Sequence, residues 1–145
     1  MSAETNKAVA RRFFIEIFGQ GKLAAAEEIV APEHVDRGPG TVPGLPSGPE
    51  GTKMFVTVYR NAFPDVQFTI DEQIAEGDKV VTRWTATGTH KGELAGIPPT
   101  GKSSTVTGVA VNRIVNGKMV ESWGIFDQFG MLQQLGVIPA PAQNK

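Results

Sequence analysis

The hydrophobic pattern changes its period at Val66, and that change limits the chain to few architectures. Upstream, apolar residues recur every three or four positions, which is typical of amphipathic helices. Downstream, apolar and polar residues alternate, as Val66, Phe68 and Ile70 do with their neighbours, which is typical of half-buried strands. Helices gathered before strands favour a single α+β domain over an alternating α/β one.

These patterns predict seven principal elements. The predicted helices cover about 3–18, 22–30 and 50–62, and the four long strands begin at Val66 and cover 79–90, 103–115 and 118–127. Asn116-Gly117 is a strong hairpin signal between the last two strands. The N-terminal helices are the available cover for the apolar face of this antiparallel sheet. A twisted sheet that curls round them leaves a concave pocket.

Two segments are predicted to be irregular. The segment Val35–Glu50 is rich in proline and glycine, and such loops are often lids or binding loops, or otherwise mobile connectors. Residues 129–135 predict one or two helical turns, and the tail from 138 to 145 is predicted to be frayed. The domain is therefore expected to span 1–145, with an ordered core over about 4–137.

Composition excludes several classes of function. The 145 residues contain no cysteine, which excludes disulfides, thiolate metal sites and cysteine nucleophiles. The net charge is −1 without a basic cluster, so no nucleic-acid partner is expected. No apolar run approaches the roughly 20 residues that span a bilayer. We therefore expect a cytoplasmic protein with no membrane association.

Asp127 is the first candidate for a general acid/base. On an extended strand it shares one side with Trp123 and Ile125, which predicts a carboxylate partly withdrawn from water. Lost hydration disfavours the charged form and would raise the pKa of this carboxyl group towards the range useful for moving protons. A second interpretation stays open, because Asp is also a preferred N-cap and a short helix is predicted to follow.

The two histidines are the next candidates. His90 lies at the end of the strand that presents Trp84 on the same face, and Gly88 and Gly92 leave space around its ring for a ligand. The alternative is a histidine whose ring nitrogens bond to backbone groups. His34 begins a short charged segment and is expected to be exposed. His34, His90 and Asp127 lack the spacing of a metal site, so no metal is predicted.

Several stretches carry a resemblance to a known family. They are Ala62–Asp65, Ala75–Asp78, Gly88–Glu93, Gly96–Lys102, Trp123–Asp127 and Gln133–Gly136. With them the chain resembles the SnoaL-like polyketide cyclase (ester cyclase) family, from the first helix to Gly136. The resemblance implies the cone-shaped α+β barrel of the nuclear transport factor two superfamily, and a homodimer built on the exposed sheet face.

The resemblance also implies a reaction. An Asp matching Asp127 would act as acid/base in an intramolecular aldol ring closure of a polyketide-like ligand, with His90 bonding a carbonyl oxygen. No metal or organic cofactor is implied. Candidate pocket walls are the aromatic residues Trp84, Trp123, Phe55, Tyr59 and Phe126.

One position departs from the family pattern. Family members often carry a His where this chain has Arg37, preceded by Asn or Asp as at Asp36. Arg37 cannot act as a base at neutral pH, but it can bind a carboxylate or carbonyl, or pair with Asp36. With His34, these residues are candidates for substrate binding. Two alternatives remain open: an epoxide-hydrolase-like enzyme that uses Asp36, Arg37 and Asp127, and a non-catalytic protein that binds a small apolar molecule.

Overall fold

Helices occupy the first part of the chain and its end. The computed structural model describes residues 2–39 and 41–139. Its helices are α1 (Ala3–Arg12), continued by the π-helical segment Phe13–Gly19, a 3-10 turn (Leu23–Ala25), α2 (Ala26–Ile29), α3 (Pro49–Ala62) and α4 (Gln128–Gln134). The Ser2 hydroxyl accepts a hydrogen bond from the Thr5 amide and so caps the start of α1. The predicted helices are therefore confirmed, with small shifts of their ends.

Five strands form one curved sheet. They are β1 (Val30–Asp36), β2 (Gln67–Glu76), β3 (Lys79–Thr89), β4 (Ser103–Val115) and β5 (Lys118–Phe126), in the spatial order β1-β5-β4-β3-β2. The four strands from β2 to β5 pair antiparallel, as predicted, and β1 adds to β5 in parallel. The α+β class is confirmed, and the prediction of four strands is wrong by one.

Strand β1 is not predicted from the sequence, and the reason is local. Pro32 lacks an amide donor, and the register of β1 against β5 shifts between Val30 and Val35. This irregularity removes the clean alternation by which a strand is recognised. The second predicted helix ends at Ile29, and the first residues of the predicted loop, Val35 and Asp36, belong to the strand.

The pairing register defines the two faces of the sheet. Gly108 lies against the Trp84 indole, where an added Cβ would be 2.3 Å from a ring carbon, and Gly108 pairs with Phe126. Trp84, Gly108 and Phe126 therefore lie on the inner face, towards the helices. Alternation places Trp123 and Ile125 on the outer face. The side of β5 that carries Trp123 is thus not the side that faces the core.

The core fills the space between the inner face and the helices. Ile17, Ile29, Ile114, Met119 and Leu135 are almost fully buried within one hydrophobic cluster. Truncating such a side chain to Ala typically destabilises a domain by about 2–5 kcal/mol. The helices and strands therefore fix one another's positions, and with them the walls of any cavity between them.

Two further predictions concern the C-terminal tail and the membrane. The predicted frayed tail lies outside the described residues from position 140 onwards. Among the described residues, no helix combines the length and the apolar character needed to cross a bilayer.

Candidate active site

A cavity of about 460 Å³ lies between the inner face of the sheet, helix α3 and the loop after β1. Many aromatic residues line it: Phe13, Phe14, Phe18, Phe55, Tyr59, Phe63, Phe68, Trp84, Trp123 and Phe126. Polar side chains reach it from β1, β4 and β5, and the loop segment Thr41–Ser47 borders it on one side. Such a cavity suits a ligand with a flat apolar body and a few polar groups.

A chain of hydrogen bonds runs along the polar part of the cavity wall. His34 Nε2 lies 2.8 Å from Ser122 Oγ, and the Ser122 hydroxyl donates to Asn112 Oδ1 at 2.6 Å. The three residues come from neighbouring strands, because β1 and β4 both pair with β5. The Asn112 Nδ2 atom is buried and has no partner among the described residues. It is therefore a buried donor to which the described residues supply no acceptor.

Burial sets the charge state of His34. The residue is only 7% exposed, and the loss of hydration lowers the pKa of its imidazole from 6.5 to about 4. The ring is therefore neutral at pH 7. The expectation that His34 is exposed is wrong, because β1 turns this side chain inward against Ser122.

Asp36 brings a carboxylate to the same cavity. It lies two residues after His34 on β1, about 6.6 Å further along the strand at the usual rise. Burial raises the pKa of the Asp36 carboxyl group, against the opposing effect of hydrogen bonds from the Gly38 amide and the Thr41 hydroxyl. Asp36 therefore has the property that the sequence led us to expect of Asp127.

The aromatic wall includes one hydroxyl group. Tyr59 packs with its ring centroid 5.3 Å from Phe55 and 6.1 Å from Phe126, and burial raises the pKa of its phenol. The phenol therefore stays protonated and can donate a hydrogen bond to a ligand. All five predicted wall residues border the cavity: Phe55, Tyr59, Trp84, Phe126 and Trp123.

Asp127 does not lie where its strand position predicted. Strand β5 ends at Phe126, and Asp127 is the exposed N-cap of α4, where its carboxylate accepts a hydrogen bond from the Gly130 amide at 2.9 Å. The expected withdrawal from water is wrong, because Trp123 and Ile125 lie on the outer face. Asp127 is also absent from the cavity lining, so the capping interpretation describes its side chain.

His90 is buried outside the cavity lining. Its Nδ1 accepts a hydrogen bond from the Thr100 amide at 3.2 Å, and its ring packs 5.5 Å from the Phe63 ring. The expected free space around the ring is filled, because Gly88 lies against Phe63 and Gly92 against the Asn61 carbonyl. His90 therefore ties the connection between β3 and β4 to the core.

Arg37 and Trp123 direct their side chains away from the cavity. Arg37 Nε binds Glu121 Oε2 at 2.6 Å on the outer face, where Arg113 holds the same carboxylate. Of the partners considered for Arg37, the structure therefore shows a carboxylate, that of Glu121, and not Asp36. Trp123 borders the cavity mouth, but its ring lies near Lys79 on the outer face, with Nζ 5.9 Å from the ring centroid.

The predicted residues therefore form two groups. His34, Asp36, Phe55, Tyr59, Trp84 and Phe126 meet at the cavity and Trp123 lies at its border, whereas Asp127, His90 and Arg37 lie elsewhere. The set Asp36, Arg37 and Asp127 of the hydrolase alternative is not assembled. Within residues 2–39 and 41–139, no group of three His, Asp or Glu side chains is placed to hold a metal ion.

Asn112 and Ser122 were missed by the sequence interpretation. Asn112 lies between Val111 and Arg113, and Ser122 lies between Glu121 and Trp123. In each case the two neighbours belong to the outer face of the sheet. A polar residue at an inward position of an otherwise apolar strand face is the signal that could have found them. That signal requires the correct face of β5, which the sequence alone assigned incorrectly.

Comparisons with known proteins agree with this architecture. Residues 8–135 match the family of SnoaL-like polyketide cyclases, so the chain belongs to that family. It is 29% identical over 124 residues to nogalonic acid methyl ester cyclase of Streptomyces nogalater, covering 84% of this chain and 91% of that protein. Aklanonic acid methyl ester cyclase DnrD of Streptomyces peucetius is 29% identical over 128 residues, covering 86% and 87%.

A solved structure extends the comparison to three dimensions. A candidate polyketide cyclase from Acidithiobacillus ferrooxidans superimposes with a TM-score of 0.79 at 33% identity, covering 94% of this chain and 99% of that chain. Family membership and fold are thereby established. The choice of reaction and of reacting residues is a separate question, because one fold hosts many functions.

Proposed function

We propose that the protein is a cofactor-independent polyketide cyclase in which Asp36, beside His34, is the acid/base of an intramolecular aldol ring closure. One observation carries this assignment. Asp36 is the carboxylate on the cavity wall whose proton affinity is raised by burial, and it adjoins the hydrogen-bonded chain from His34 to Asn112. The resemblance assigns the same role to Asp127, and the two carboxylates are therefore rival candidates.

In this reaction Asp36 acts first as a base and then as an acid. Its carboxylate removes a proton from a carbon flanked by two carbonyl groups, and the electron pair of that C–H bond forms an enolate. The enolate carbon attacks a second carbonyl of the same molecule, which makes the new C–C bond and an alkoxide. Asp36 returns the proton to the alkoxide. The product is an isomer of the substrate, so no oxidant, reductant or leaving group is involved.

Two neutral donors support the negative charge of the enolate. Tyr59 and Asn112 both line the cavity, and the Asn112 Nδ2 atom has no partner among the described residues. Donors held in a water-poor site stabilise developing charge more strongly than the same groups do in water. Since His34 is neutral at pH 7, it adds no charge that would hold Asp36 in its ionised form.

The aromatic wall supports a flat ligand. Trp84 packs between Phe68 and Phe126, with ring centroids at 5.2 and 6.5 Å, and these rings border one side of the cavity. A fused-ring body would be held by apolar contact, with its reacting chain near β1. Holding both reacting groups of one molecule together lowers the entropic part of the barrier.

The test uses two matched variants and two candidate substrates. Nogalonic acid methyl ester and aklanonic acid methyl ester are incubated with wild type, Asp36→Asn and Asp127→Asn, and products of unchanged mass are separated by chromatography. We expect wild type to convert at least one ester and Asp36→Asn to lose about 10²–10⁴-fold in kcat, the usual range for a general acid/base. Asp127→Asn should stay within about threefold of wild type, because Asn is as good an N-cap as Asp.

The opposite result would restore the sequence-based assignment. If Asp127→Asn loses activity and Asp36→Asn retains it, Asp36 is not the acid/base. Circular dichroism of both variants controls for folding. If wild type binds both esters without changing them, the proposal of a cyclase fails for these substrates, and the alternative of a non-catalytic binding protein takes its place.

A further inference from the structure

The chain of hydrogen bonds from His34 to Asn112 has a defined direction. A serine hydroxyl carries one proton, so Ser122 donates to only one of its two neighbours. Its contact with the Asn112 amide is 2.6 Å, within the usual range for O–H···O and shorter than the usual range for N–H···O. The amide atom next to Ser122 is therefore the carbonyl oxygen Oδ1, and the hydroxyl proton lies on that side.

The remaining contact then fixes the histidine. Since the Ser122 proton is used towards Asn112, Ser122 Oγ can only accept from His34 Nε2, at 2.8 Å. The ring is neutral, so a proton on Nε2 leaves Nδ1 with its lone pair. The same orientation of Asn112 directs its Nδ2 away from Ser122. Asn112 is only 3% exposed, and its Nδ2 is buried without a partner among the described residues.

We propose that Asn112, acting through Ser122, determines which nitrogen of His34 carries the proton, and that its amide N–H group binds a carbonyl oxygen of the ligand. Asn112 is thus a positioning residue for His34 and a specificity-determining residue for the ligand. A ligand that carries a hydrogen in place of that oxygen leaves the buried amide N–H group without an acceptor. An unpaired buried donor in a water-poor site lowers the binding affinity, so such a ligand should bind more weakly. The second part rests on the proposed binding of carbonyl-bearing aromatic ligands.

The first experiment measures the tautomer without ligand or turnover. Uniformly ¹⁵N-labelled protein at pH 7.5 is examined by long-range ¹H–¹⁵N correlation, which distinguishes Nε2-H from Nδ1-H. The chain has two histidines, so His90→Gln identifies the signals of His34. We expect Nε2-H in wild type. In Asn112→Leu the Ser122 hydroxyl is free to donate to Nε2, so the Nδ1-H form should appear.

Two further variants test the direction of the chain. Asn112→Asp keeps an oxygen that accepts from Ser122 and should keep the Nε2-H form. Adding Ser122→Ala to Asn112→Leu removes the competing donor and should reduce the Nδ1-H form again. A wild-type protein in the Nδ1-H form, or a tautomer unchanged in Asn112→Leu, overturns the proposal. If Asn112→Leu does not fold, the wild-type and Asn112→Asp spectra still decide the direction.

The second experiment measures ligand discrimination. Binding of 9,10-anthraquinone and of anthracene, which has the same ring frame without oxygen, is followed by the fluorescence of Trp84 in a Trp123→Phe background. We expect Asn112→Leu to weaken anthraquinone binding about tenfold, a factor worth about 1.4 kcal/mol, and to leave anthracene binding within about twofold. Equal effects on both probes would overturn the carbonyl assignment. The tautomer result stands independently, so failure of the proposed reaction can be told apart from failure of this inference.

Discussion

Acidification between pH 7.5 and pH 5 should destabilise the protein through His34. Burial lowers the pKa of His34 to about 4 in the folded state, whereas the unfolded chain has the ordinary value of 6.5. Between these values the unfolded state binds a proton that the folded state does not, so the free energy of unfolding falls as the pH falls. The stability that His34 contributes is therefore present above pH 6.5 and is lost progressively down to about pH 4.

The magnitude follows from the two pKa values. A gap of about 2.5 at 1.36 kcal/mol per pKa unit corresponds to a total loss of about 3 kcal/mol, of which about 2 kcal/mol is lost by pH 5. Domains of this size are commonly stable by about 5–15 kcal/mol, so the change is large enough to measure. Asp36 acts in the opposite direction, because a raised carboxyl pKa favours the folded state on acidification.

The assay compares wild type with His34→Gln by urea unfolding at pH 7.5 and pH 5.0. Gln is neutral at both pH values, so the difference between the two proteins isolates His34 and cancels the contribution of Asp36. We expect wild type to lose about 2 kcal/mol more than the variant between the two pH values, with unchanged urea dependence. An equal loss in both proteins would refute the assignment of a buried, neutral His34.

Four further substitutions test how the glycines position the site. Gly38→Ala should destabilise the protein by about 1–3 kcal/mol, because the added Cβ would lie 2.2 Å from the Gly124 backbone nitrogen. Gly124→Ala is the matched control. Its added Cβ meets no atom within 4 Å, so it should change the free energy of unfolding by less than about 0.5 kcal/mol. Gly130→Ala should cost about 1 kcal/mol although Ala favours helices, since its Cβ would displace the Asp127 cap; in the Asp127→Ala background the cost should vanish. Gly124→Phe should fold and lose anthraquinone binding, because the side chain would occupy the cavity. Urea unfolding and fluorescence titration check these outcomes.

The fold was predictable because its main signals are local. The change of period at Val66 separates the helices from the strands, and Asn116-Gly117 fixes the hairpin of β4 and β5. These features depend on residues close in sequence. Strand β1 depends instead on pairing with β5, about 90 positions away, and Pro32 interrupts its own pattern. The sequence therefore left it unrecognised.

The site was predicted less well because it depends on which face of each strand is inward. On β3 the face of Trp84 was assigned correctly, since Thr and charged residues mark the other side. On β5 the outer face carries Trp123 and Ile125, which are more apolar than the inward Ser122 and Gly124. The more apolar face of a strand is usually taken to be the buried one, and on β5 this rule selects the wrong face. The correct face of β5 follows from strand pairing, in which Phe126 pairs with Gly108 and Gly108 pairs with Trp84.

Asp127 can still influence activity from its position at the start of α4. Met131 is on that helix, its amide donates to the Asp127 carbonyl, and its side chain is buried against the cavity. Loss of the cap in Asp127→Ala would loosen Met131 and weaken ligand binding, which raises KM and leaves the pH dependence of kcat unchanged. An acid/base behaves differently, because its removal lowers kcat and abolishes the corresponding limb of the pH profile. A pH profile of kcat that loses a limb in Asp127→Ala but keeps it in Asp36→Asn would therefore identify Asp127 as the proton carrier.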